Sequence, residues 1–376
     1  MRIIDIEVVE LRVPGWTAET FDGSYDNCVL RVLTDDGIEG LAEVDSVPSV
    51  IRSIVEAPSS HTHARGLKEA VVGQDPLEIE ALWDRMYDAT SYYGRRGVVI
   101  HAISAIDIAL WDIKGKALGK PVAELLGKPK RDRLRAYGTV YPLGETPDEV
   151  RRTIDRGLKL GLRAIKIVAD PFWRDDLDHT ALLIRTAREH VGPDIQLMVD
   201  AATAWSKAEE GLPLMPIFKE YGFAWVEAPL PIDDLDGHAR FQGFGVPIGG
   251  GDLGLTTRFE YELMFQRGKV DIAQPDVTMV GGLTELKRVA ALAKSLGKRV
   301  VTHGYKSNIT IAANLAFLAQ HEDEEILEYS TSESPLRWEL TRERFAIEAD
   351  GRVAVPKAPG LGVSLDERVV ERFRRR

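Results

Sequence analysis

IQLMVDAATAWSKAEEGLPLMPIFKEYGFAWVEA, residues 195–228, contains two short apolar runs, and each closes on a carboxylate: Asp200 after IQLMV and Glu227 after FAWV. Reading outward, the same event recurs. Asp252 follows VPIGGG, Asp276 closes VDIAQPD, His303 closes RVVTH and Glu328 lies in EILEY. The recurrence interval of roughly 25 residues is about one βα unit of a parallel barrel, in which eight units occupy ~250 residues. Strand C-termini of such a barrel face one mouth, so residues distant in sequence converge there. Three carboxylates and a His–Asp pair in a single mouth read as a metal site beside an acid/base site.

The flanking sequence supports that frame. Between Leu134 and Glu328 strand-like and helix-like patterns alternate: AIKIVA, then a helix around LDHTALLIRTAREH, then IQLMVD, and so on to RVVTH and a helix over ITIAANLAFLAQH. In GLTELKRVAALAKSLG the apolar positions Leu283, Leu286, Val289, Ala290, Ala293 and Leu296 form one stripe, with Gly297 as the stop. Strands alternating with helices of this length imply a parallel α/β sheet. Upstream, Ile4, Ile6 and Val8 alternate, and Val29, Leu30 and Val32 precede an Asp36-Gly37 turn, as in antiparallel strands. HAISAIDIALWDIKGKALGKP then reads as a helix ended by Gly119 and Pro121. After Ser330 the chain is polar, contains KAPGLG and is too short for its own core, so it is expected to pack back on the first region.

At 376 residues the chain can hold a barrel and one smaller domain. A single cysteine, Cys28, excludes an intrachain disulfide. The N-terminus MRIIDIEVVELRV lacks a basic start with an apolar core, and no apolar run reaches membrane-spanning length, so a soluble cytoplasmic protein is expected. A net charge of -11 argues against nucleic-acid or membrane partners, and the basic ERFRRR end reads as a solvated tail. An anionic substrate would then need local positive charge, which a bound cation supplies.

The ordered series AIKIV, VDAATAW, WVEAPLP, GGGD, QPDVTMVGG and VVTHG resembles the enolase superfamily, and the His on the seventh strand with the Asp on the sixth resembles its mandelate racemase subgroup. The likeness covers nearly the whole chain, since WDIKGKALGKPVAELLG and APGLGV resemble the subgroup's capping domain. It implies a (β/α)7β modified TIM barrel with an N-terminal α+β cap: cap 1–127, barrel 128–335, and a segment 336–376 that completes the cap. It also implies an essential Mg²⁺, with Mn²⁺ as a substitute, bound by Asp200, Glu227 and Asp252; a dyad of Asp276 and His303; Glu328 as the acid on the eighth strand; and a homo-oligomer.

One departure from that pattern redirects the chemistry. Racemases of the subgroup carry Lys-x-Lys at the end of the second strand, whereas this chain reads Lys166-Ile167-Val168. The resemblance gives the second lysine the role of base on the face opposite the histidine, and valine cannot carry a proton. Several acid-sugar dehydratases of the subgroup also lack it. The expected reaction is therefore abstraction of the proton α to a carboxylate followed by β-elimination of water from an acid sugar, giving a 2-keto-3-deoxy acid.

The residues support this chemistry independently. Removing an α-proton places a second negative charge on the enediolate oxygens, which a divalent ion and the ammonium of Lys166 can offset. Three hard oxygen ligands without Cys or His favour Mg²⁺ over Zn²⁺. Asp276 can hold one imidazole nitrogen of His303 and leave the other free as base. Two other readings remain: a racemase using Lys166 opposite His303, and a metal-binding barrel without catalysis, for which the dyad would be superfluous. Each residue also has a plainer reading. A lone Asp or Glu at a strand end is often a helix cap, and a lone His is often a satisfied core residue. Lys166 could simply extend from a strand end, and Glu328 could be a rim carboxylate. Gly249-Gly250-Gly251 lacks phosphate-loop spacing and reads as room for the backbone near Asp252. His61 and His63 have no matching ligand cluster. The segments 16–25 and 46–52 are expected to be loops that could close over the mouth.

Overall fold

The structure is a computed structural model that describes residues 1–17, 22–202, 204–321 and 325–375. Thr203 of VDAATAW, residues 18–21 of the expected mouth loop and Arg376 lie outside the described residues. Three antiparallel strands open the chain, β1 (Ile3–Arg12), β2 (Asp26–Thr34) and β3 (Glu39–Val44), in the order β1-β2-β3. The helix Val98–Leu118 packs on this sheet and ends at Gly119, whose φ of 64° is the left-handed stop expected of glycine.

Eight parallel strands follow: β4 (Arg133–Val140), β5 (Ala164–Val168), β6 (Gln196–Asp200), β7 (Phe223–Glu227), β8 (Ile248–Gly250), β9 (Ile272–Ala273), β10 (Arg299–Val300) and β11 (Leu327–Ser330). They pair in sequence order from β4 to β10, and β11 pairs with β4. This is the α/β barrel with an antiparallel cap read from the sequence. Among the described residues no ladder joins β10 to β11. That junction is stapled by side chains instead: Arg299 to Glu325 at 2.9 Å, and the Gly304 N–H to Glu328 Oε2 at 2.9 Å.

The C-terminal stretch contacts both regions. Leu11 bridges to Arg374 and Arg31 pairs with Glu367 at 2.7 Å, while β12 (Arg352–Ala354) lies antiparallel on β4. No helix among the described residues is long and apolar enough to cross a membrane.

Strand alternation sets the height of the mouth. Tyr137, Ala164, Met198, Trp225, Ile272, Val301 and Ile326 form one buried cluster inside the barrel. Side chains on a strand face the same side every second residue. Two residues beyond each member of that cluster stand Thr139, Lys166, Asp200, Glu227, Gln274, His303 and Glu328. The apolar layer is thus the floor and the polar layer is what rests on it.

The cap docks through the Gly281-Gly282 pair. Both have positive φ, 120° and 77°, and a Cβ on Gly282 would lie 2.3 Å from Asp107 Oδ2. That approach lets Asp107 accept the Thr284 N–H at 3.0 Å, while Trp83 and Trp111 donate to Gly281 O and Thr284 Oγ1 at 2.8 and 3.0 Å. The expected loop over 46–52 is largely a helix, Pro48–Glu56. Proline in its first turn loses no hydrogen bond there and presets φ, so Pro48 is compatible with a helix start.

Candidate active site

Asp200 and Glu227 close β6 and β7 and are opposite one another in register; Asp252 lies two residues past β8. One ligand atom from each falls within a sphere in which all separations are at most 4.8 Å, and this is the only such His/Cys/Asp/Glu group among the described residues. His61 and His63 are exposed, with His61 packed edge-on against Tyr92. Lys166 Nζ is buried between Glu227 Oε1 at 2.5 Å, Glu328 Oε1 at 3.0 Å and Asp200 Oδ2 at 3.4 Å. Burial disfavours its ammonium, but Glu227 and Glu328 outweigh that and raise its pKa well above the ordinary value.

One ammonium does not balance four carboxylates. Burial pushes Glu227 upward despite Lys166 at contact distance, and repulsion from the charges of Asp200 and Glu328 adds to it. Asp252 is pushed well above the usual carboxylate range, first by burial and then by Glu227 and Asp200, and its Oδ1 is buried with no hydrogen-bond partner. A hard oxygen set with an unmet negative charge fits a divalent ion of the Mg²⁺ type.

The Asp276–His303 pair lies past the ends of β9 and β10, joined by its own backbone bridge, and Asp276 Oδ2 meets His303 Nδ1 at 2.7 Å. Asp276 Oδ1 accepts the N–H and O–H of Thr278, both at 2.6 Å. The bonded Nδ1 leaves Nε2 facing the mouth, 3.8 Å from Glu328 Oε2. Burial works against the imidazolium, but Glu328 and Asp276 reverse the balance and hold His303 well above the ordinary imidazole value. Glu328 accepts from Thr139 Oγ1 and the Gly304 N–H; although burial opposes its charge, Lys166 and His303 bring its pKa down to about 2. Val168, two residues past Lys166 on β5, is buried and opposite Asp200 in register.

Several residues with a part in the site gave no sequence signal of their own. Gln274 and Trp225 both donate to Glu227 Oε2, from the strand-face parity described above. Within the glycine run, a Cβ on Gly249 would fall 2.0 Å from Gln274 Oε1, so Gly249 makes room for this amide, while Gly251, directly before Asp252, has a φ of 105°. From the cap, the Asp45 N–H donates to Thr278 Oγ1 at 3.0 Å, and Lys306 Nζ meets Asp45 at 3.1 Å and the carbonyls of Gly23 and Asp26 at 2.5 and 2.9 Å.

Glu43 on β3 clamps the segment behind His303. Its Oε1 accepts the Ser307 and Thr310 N–H groups at 3.0 and 2.9 Å and the Thr310 hydroxyl at 2.7 Å. These are otherwise orphaned donors at the start of the helix Asn308–Leu318. Glu43→Ala should therefore lower unfolding stability by about 2 kcal/mol and reduce kcat. Denaturant titration alongside kinetics checks this, and unchanged stability would show that the clamp contributes nothing.

Residues 3–127 match the family described as Mandelate racemase / muconate lactonizing enzyme, N-terminal domain, and residues 147–369 match Enolase C-terminal domain-like. The chain is similar to the D-galactarolactone cycloisomerase of Agrobacterium fabrum, at 32% identity over 92% of this chain and 90% of that one. It is also similar to the arabinonate dehydratase of Saccharolobus solfataricus, at 33% identity over 82% of this chain and 81% of the relative. The crystal structure of the 3,6-anhydro-D-galactonate cycloisomerase from Zobellia galactanivorans has a TM-score of 0.89 and 30% identity, with 100% of both chains covered.

Proposed function

Because this chain belongs to the mandelate racemase/muconate lactonizing enzyme subgroup of the enolase superfamily, we propose that it dehydrates an acid sugar to a 2-keto-3-deoxy acid. The observation that carries this reading is a single competent proton carrier: His303, held by Asp276, with Val168 on the strand where a second base would stand. The substrate carboxylate binds at the mouth of Asp200, Glu227 and Asp252, where a Mg²⁺ held by these residues would offset charge on the carboxylate oxygens. His303 Nε2 takes the α-proton, and the C–H electron pair passes into the enediolate, whose charge the ammonium of Lys166 also offsets. The enediolate then collapses, the Cβ–O bond breaks, and His303 returns its proton to the departing hydroxyl, which leaves as water. The resulting enol tautomerises to the 2-keto acid. Asp276 fixes the tautomer and Glu328 supports the imidazolium between the two steps.

A second reading is cycloisomerisation, supported by the 32% identical cycloisomerase relative. The first half-reaction is the same, but a ring oxygen on Cβ leaves and stays attached, so no mass is lost. Product mass separates the two: dehydration removes one water, cycloisomerisation none. A screen of aldonic and aldaric acids, together with their lactones and anhydro forms, with Mg²⁺, reading 2-keto acid formation and product mass, tests the proposal. Mass-neutral products from every substrate would sink it.

Racemisation needs a proton carrier on each face, and Val168 removes one. Val168→Lys should not speed dehydration. It should introduce slow solvent exchange from the opposite face, with kcat lower because a buried ammonium beside Asp200 disturbs the metal ligands. Product NMR in D₂O checks this, and a stable C2 epimer formed by the unaltered protein without 2-keto product would revive the racemase reading.

A further inference from the structure

Beside the mouth lies a cavity of about 420 Å³, inside the roughly 300–1,000 Å³ range of small-molecule sites. It continues from the strand ends already described. Tyr305 stands two residues past His303, and Thr331, three past Glu328, donates its hydroxyl to the Thr139 carbonyl at 2.5 Å. We propose that this cavity receives the end of the substrate remote from the reacting carboxylate and is built for a neutral polyol, so the substrate is a monoacid sugar rather than a diacid. The inference rests on the reading of the site as one acting on acid sugars.

The charges lining the cavity carry it. Two carboxylates, Asp22 and Glu333, face one guanidinium, Arg156. Arg156 is already engaged: Nη2 donates to the Tyr141 carbonyl at 2.8 Å, and Nη1 is 3.9 Å from Glu333. Neighbouring cations are turned elsewhere, Lys306 of the barrel to Asp45 and Arg12 of the cap to Asp26 at 2.7 Å. A second substrate carboxylate would meet like charge with no uncommitted cation among the described residues. Hydroxyls fare differently, since carboxylates accept from them and the Tyr305 phenol can donate. Trp16, held by Arg12 stacked 4.4 Å from its ring, offers an apolar face to the sugar C–H groups.

A six-carbon aldonate and the aldarate of the same configuration form the test. With the Mg²⁺-loaded enzyme, the aldonate should exceed the aldarate in kcat/KM by about 10-fold or more. Glu333→Gln, at an exposed rim position, should narrow that ratio by about 2- to 5-fold, chiefly through the aldarate. Calorimetry on Mg²⁺-loaded His303→Asn gives the same ranking without turnover. If the aldonate exchanges its α-proton in D₂O and binds preferentially but yields no 2-keto product, the dehydratase reading fails and this inference stands. An aldarate that equals or exceeds the aldonate in exchange and binding overturns it whatever the product, as does binding of neither acid, or an unchanged ratio in Glu333→Gln.

Discussion

Asparagine in place of His303 should lower α-proton exchange by on the order of 10⁴-fold, the upper range for loss of a positioned general base. Asp276→Asn should cost less, on the order of 10²-fold, because the base survives but loses the acceptor that fixes its tautomer at 2.7 Å. The order of damage is the test, read by NMR as loss of the α-proton signal in D₂O. If His303→Asn exchanged at the unaltered rate, Lys166 would have to be the base. The pH profile gives a second check. Neutral imidazole is the reactive form, so kcat/KM should rise with pH through a value above the ordinary imidazole range. Burial pulls that value down, while Glu328 and Asp276 more than compensate. Glu328→Gln removes the largest supporting charge and should move the acid limb to lower pH.

Asp252→Asn should have two effects of opposite sign. It should abolish divalent-ion binding and lower turnover by about 10³-fold or more, yet make the metal-free protein more stable by about 1–2 kcal/mol. Asp252 is the member of the triad that Lys166 does not reach and whose Oδ1 has no partner. A carboxyl that holds its proton more tightly folded than unfolded destabilises the fold increasingly as pH rises from about 4 toward its raised value. Asparagine removes that slope. In the unaltered protein, Mg²⁺ at 100 times its dissociation constant should add about 2.7 kcal/mol, and in the variant nothing. Thermal melts with and without Mg²⁺, across pH, measure both. Retained Mg²⁺ stabilisation in Asp252→Asn would remove this residue from the ligand set.

What could be read in the sequence, and what could not, divides by distance along the chain. Asp200 and Glu227 stand on the last residues of their strands, so an apolar run and its final carboxylate locate them. Asp252, Asp276 and His303 lie two to three residues past strands only two or three residues long. Spacing alone would blur them, and the ordered motifs placed them. Val168 was legible as a departure because its neighbours matched. Glu43, Lys306 and Asp45 were not, because their partners lie more than 200 residues away, on the other side of the cap–barrel boundary. Helix Pro48–Glu56 stands where part of a loop was expected over 46–52.

The junction between β10 and β11, which no ladder closes among the described residues, is the seam of the barrel wall least constrained by main-chain pairing. His303 follows one of these strands and Glu328 belongs to the other, and two polar staples, rather than a main-chain ladder, hold them together. Elsewhere, widening the wall would break paired backbone groups. Here separation by a fraction of an ångström stretches side-chain contacts, the Arg299–Glu325 pair, the Gly304–Glu328 bond and the 3.8 Å His303–Glu328 approach, and no strand ladder. On the proposed chemistry His303 stands at this seam, where a small displacement of its ring breaks no strand ladder, while the apolar floor beneath stays fully enclosed.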